Sequence, residues 1–178
     1  MTSTSPNLAE RSTRLTGLMT VRVGLFALVA IGILGAAAEL AFERHWHSVV
    51  QLIPWVALAL LTVALVLLIL RDSPRMVAVV RIVALVVLLT AGYGVYMHVS
   101  VNHGMGAMDP TWDTLSPLTQ WWYALTKSVG QAPPLAPGML AQSGLLLLLA
   151  TLTSKRVKAG AHAMARSDRS QKQESLAE

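Results

Sequence analysis

The chain has 178 residues, of which 54% are hydrophobic and only 13% charged, about half the charged share of a soluble domain. Its apolar residues fall in long unbroken blocks, which points to lipid as the solvent rather than to a soluble core. The formal charge of +5 comes from basic residues beside those blocks, so membrane topology and anionic lipid account for it and nucleic acid is not an expected partner; the absence of cysteine excludes disulfide frameworks, thiolate metal sites and dithiol redox chemistry.

Residues 1–19 are polar and rich in Ser and Thr, and read as a flexible cytoplasmic leader. The first apolar block, residues 21–42, is long enough to cross a hydrocarbon core of about 30 Å. Ala36-Ala37-Ala38 before Glu39 also fits a signal-peptide cleavage site. An uncleaved helix is the preferred reading, because small residues (Gly24, Ala27, Gly32, Gly35, Ala36) recur along the block and apolar character resumes at Leu40. The second block, residues 49–70, has Pro54 in its first turn and Trp46 and Trp55 as interfacial anchors. A short charged turn, Arg71 to Arg75, makes the next block its antiparallel neighbour.

The third block, residues 76–98, carries Arg81 one to two turns inside, where it either snorkels or faces a partner helix. Residues 102–110 read as a loop on Gly and Pro content, and residues 112–129 as a short amphipathic helix lying in the interface, capped by Asp113 or Thr114. Trp112, Trp121 and Trp122 would anchor that segment. The last block, residues 135–152, follows a Pro-rich lead, and residues 154–178 form a basic tail that starts helical and ends disordered. The expected fold is all-α: a polytopic, four-transmembrane-helix bundle with a short interfacial helix between helices three and four.

Four crossings place both termini and the second loop on one side. That side holds 12 of the 14 Lys and Arg residues, and only Arg44 and Lys127 lie on the other. The positive-inside rule then makes the termini cytoplasmic, in a multi-pass protein of the cell (inner) membrane. All five Trp, four of the five His, and Glu39, Glu43, Asp109 and Asp113 sort to the outer side. Any chemistry is expected there.

Two constellations stand out on that side. Glu39, Glu43 and His47 are spaced i, i+4, i+8, one face of a continued first helix, with His45 pointing roughly the opposite way. Carboxylates and an imidazole on one face suit Zn²⁺ or proton relay, and Glu39, in the last membrane turn, is costly to ionise without a partner. Met97, His98, His103, Met105 and Met108 offer thioether and imidazole ligands that favour copper. They loosely resemble the methionine motifs of copper-handling membrane proteins. If the outer ends of helices one and three meet, His47 and His98 share a site with Glu39 or Glu43, and Asp109 closes over it. The paired-His haem sites of four-helix membrane cytochromes are similar only in part, since no His here lies deep in a helix.

No phosphate-binding Gly loop, H-E-x-x-H pattern or Ser-centred nucleophile elbow occurs. The expected role is therefore non-catalytic: an accessory protein, scaffold or complex subunit whose partners are the bilayer, other membrane proteins or further copies of itself. The alternative is a binding or transport protein for a divalent or copper ion, using Glu39, Glu43, His47, His98, His103, Met105, Met108 and Asp109.

Overall fold

A computed structural model describes residues 8–71 and 73–175. Among them the chain forms α1 (Leu8–Phe42), α2 (Val49–Leu70), α3 (Pro74–Met105), α4 (Pro117–Leu125) and α5 (Gly138–Ser175), with 3-10 turns at Gly106–Met108 and Trp112–Thr114 and no strand. The helices α1, α2 and α3 are each long and apolar enough to cross a membrane, and the apolar stretch of α5, Gly138–Thr153, is shorter. The described fold is all-helical, with three helices compatible with membrane spans.

Helix starts follow local chemistry. Ser48, Ser73 and Ser116 are extended N-caps whose hydroxyls accept from the backbone N–H three residues on. Pro74 and Pro117 sit directly after two of these caps, where a missing N–H costs nothing. Pro54 is accommodated inside α2.

Small residues set the spacing between helices, as expected where lipid offers no hydrophobic drive for helix association. A side chain at Gly32 would collide with Ser143 and one at Gly35 with Met139, so side chains of α5 rest on α1 where it has none. Gly144 approaches the carbonyl of Ala84 on α3. The packed centre runs through Val29, Leu61, Leu68, Val80, Val87 and Leu147, all buried. Arg81 reaches across to α5 and donates from Nε to Thr151 Oγ1 at 2.9 Å, and Thr151 in turn donates to the Leu148 carbonyl. It thus faces a partner helix. Arg22 donates to the Leu68 carbonyl and lies over the Phe26 ring, 5.2 Å from its centre.

Several elements depart from the sequence reading. Residues 8–19 are helical and continue into α1, so this part of the expected flexible leader is ordered; residues 1–7 lie outside the described residues. Residues 102–105, read as loop, are the last turn of α3. The surface helix is limited to Pro117–Leu125 and is capped by Ser116, not by Asp113 or Thr114. The tail is helical to Ser175, and residues 176–178 lie outside the description.

Asn102 explains why α3 continues past the expected boundary. It is fully buried, and it donates from Nδ2 to the carbonyls of Ala124 (3.0 Å) and Ala132 (2.8 Å) and accepts from the Ala132 N–H (2.9 Å). Gly130, at φ 73°, passes so close that a side chain there would meet Asn102. Replacing Asn102 by Leu leaves three backbone groups without partners and is expected to cost about 2–4 kcal/mol, read from denaturant unfolding in micelles. A change below about 0.5 kcal/mol, typical of an uninvolved surface position, would contradict this role.

Candidate functional site

The termination of α1 decides which residues can meet. After Phe42 the chain makes two closing bonds, His45 N–H to the Leu40 carbonyl (2.9 Å) and Arg44 N–H to the Ala41 carbonyl (3.1 Å). Arg44 is left-handed, at φ 49°. This is a Schellman stop, built on Arg where Gly is usual. The i, i+4, i+8 face therefore breaks before its third member, and His47 does not join Glu39 and Glu43. The His47 N–H is held instead by the side chain of Gln51 at 2.7 Å, in the first turn of α2. The turn directs His45, expected on the opposite face, toward α3. Its ring stacks on His98 with centroids 6.4 Å apart and planes 21° off parallel. The His45 carbonyl accepts from Trp55 Nε1 at 2.8 Å, which pins the turn to α2.

These groups surround a cavity of about 310 Å³ between α1, α2, α3 and the segment leading into α5. Glu39 approaches from α1, Glu43 and His45 from the turn after it, Gln51 from α2, and Tyr93, Met97 and His98 from α3. Pro133, Ala136 and Pro137 complete it from the lead into α5. Pro137 rests directly on Gly94, where any side chain would displace it. The Pro133 carbonyl stands beside the His98 ring, whose Nδ1 is shielded from solvent.

The other candidate ligands lie elsewhere. His103 is packed by Trp121 (ring centres 4.5 Å apart) and edge-on by Trp112 (5.3 Å). Met105 and Met108 are exposed, Met108 to 78%. Asp109 does not close over the cavity: its Oδ1 accepts from both the N–H and the hydroxyl of Thr111, at 2.8 Å each. The methionine–histidine set is thus dispersed, with Met97 and His98 in the cavity wall and the rest outside it. Among the described residues no three His, Asp or Glu groups converge to hold a metal ion.

The tryptophans also divide. Trp46, Trp121 and Trp122 are exposed, Trp46 with its ring 6.3 Å from Trp55. Trp112, by contrast, is 6% exposed and lies on Gly106, in a position only a residue without a side chain permits. It is a packing residue of the segment over α3, not a lipid-facing anchor. Asn102, the residue that holds that segment, was missed because it falls in a Gly-rich stretch that reads as loop. The Ser-Pro pairs at 73–74 and 116–117 both carry a helix-start signal that the apolar blocks alone do not give.

No family model matches the chain, and neither a curated protein nor a solved structure is similar to it.

Two outcomes follow. Left-handed backbone costs a residue with a side chain about 1 kcal/mol, so Arg44→Gly is expected to gain that much stability and Arg44→Val to lose it. Equal unfolding midpoints for the two variants would contradict the turn. Asp109 has its carboxyl held below the usual range by the Thr111 backbone N–H, then by the Thr111 hydroxyl. A depressed carboxylate lends its support at neutral pH and loses it as the pH falls through the lowered value. The protection of the Thr111 amide, its exchange rate relative to the intrinsic rate at the same pH, should therefore be lost only at strongly acidic pH, and in Asp109→Ala it should be low throughout; protection that ignores both changes would refute the contact.

Proposed function

We propose that the chain is a four-crossing membrane protein with both termini cytoplasmic, acting as a non-catalytic subunit that binds a small ligand in its outer-end cavity. The cavity carries this reading. Its volume of about 310 Å³ falls at the lower end of the range for small-molecule sites, and its mostly apolar wall with a few polar groups is the usual composition of such sites. What supports the fourth crossing is the packing of α5. Leu140, Ser143, Leu147, Ala150 and Thr151 are all buried, in contact with α1 and α3, so the helix runs alongside the spanning segments. An even number of crossings places the ends together, and the 12-to-2 distribution of basic residues makes that side cytoplasmic. The exposed Leu118 and Trp122 of α4 suit a helix resting in the outer interface.

A second reading, binding or transport of a divalent or copper ion, draws on Glu39, Glu43, His45, Met97 and His98 sharing one cavity. It requires the ligands to move together, since no three His or acidic groups converge among the described residues. A complex-forming role predicts that the chain leaves mild detergent with another membrane protein or with further copies of itself. A lone monomer under those conditions would count against it.

Because the chain has no cysteine, single introduced thiols test the topology without background. In intact cells a membrane-impermeant maleimide is expected to label Ser128→Cys and to spare Ser170→Cys until the membrane is opened. The reverse pattern would invert the assignment.

A further inference from the structure

We infer that the cavity receives a small hydrophobic amine, its protonated nitrogen placed against Glu39 and Glu43. This rests on the reading of the cavity as a binding site and names the class of ligand it takes. The argument is one of charge. The cavity wall contains two carboxylates and no Lys or Arg. Arg44, which separates Glu43 from His45 in sequence, is not part of the wall. Glu39 lies in the last turn of a helix apolar enough to cross a membrane, where an ionised carboxylate needs a countercharge, since desolvation there is not repaid by distant ions. A ligand that brings a positive charge supplies it.

The remaining features select among cations. A bare metal ion needs several ligands on one point, and no three His or acidic groups converge among the described residues. It would also leave most of a cavity of about 310 Å³ unfilled. An organic cation fills more of it and places its hydrocarbon against Leu40, Val50, Ile53 and Leu140. The two carboxylates accept the ammonium N–H groups. An anion is repelled by the same wall, and a neutral amphiphile leaves the carboxylates without compensation.

The test compares hexylamine with hexan-1-ol, which match in length and differ in charge. Binding is measured by calorimetry to the full chain in zwitterionic phosphatidylcholine nanodiscs, with empty discs subtracted. Hexylamine is expected to saturate one site per chain and to bind about tenfold more tightly than hexan-1-ol, as a charge-assisted hydrogen bond implies. Glu39→Gln and Glu43→Gln should each narrow that gap. Equal binding of the two probes would overturn the amine assignment and leave a ligand cavity. Binding of neither would overturn both. Saturable Zn²⁺ binding that excludes hexylamine would overturn it in favour of a metal site. Because the amine–alcohol comparison uses the unaltered chain, a variant that fails to fold does not blunt the test.

Discussion

The carboxamide of Asn102 holds the segment that returns from α3 to α5, and the cavity end of the molecule depends on it. One side chain takes both backbone groups of Ala132 and the carbonyl at the end of α4. Buried backbone groups in a loop must find partners, and here a single residue on the adjoining helix supplies three of them. The consequence is positional. With Ala132 fixed, Pro133 is set beside His98 and Pro137 against Gly94. These contacts determine where α5 begins and give the cavity its fourth wall.

The opposite wall comes from an equally local device. The left-handed Arg44 ends α1 and turns His45 onto His98. Lys127, also left-handed at φ 58°, follows α4 in the same way, with Ser128 N–H bonded to the Tyr123 carbonyl. The two basic residues that break the charge asymmetry of the sequence are therefore both helix-stop residues. A cation there also suits the negative end of the helix dipole, which gives each a structural reason to be basic.

Much of the fold was legible because lipid imposes a coarse rule: apolar runs of sufficient length become helices. The bounds of α2, from Ser48 to Arg71, could be read from a capping serine and a charged turn. The end of α3 could not, since Asn102, Gly104 and Gly106 look like loop formers, and it is the tertiary bonds of Asn102 and the packing of Trp112 on Gly106, both buried positions, that fix that stretch. The location of the cavity, at the shared end of the first and third helices around Glu39, Glu43 and His98, was also legible, from the clustering of acidic and imidazole side chains. Its membership was not. Helical periodicity selects His47, and the turn that substitutes His45 has Arg at the position where Gly would have announced it. His103 does not join His98 for a related reason, since Trp112 and Trp121 pack its ring, while Met105 and Met108 are exposed.

The account stands on His45, and not His47, meeting His98 at the cavity. The most direct test is a ring-to-ring correlation spectrum of histidine-labelled protein in lipid bilayers, assigned by single replacement of each residue. A cross-peak between the His45 and His98 rings, with none between His47 and His98, is the predicted result. A His47–His98 cross-peak in its place would mean that α1 continues past Phe42 and that the cavity is built differently.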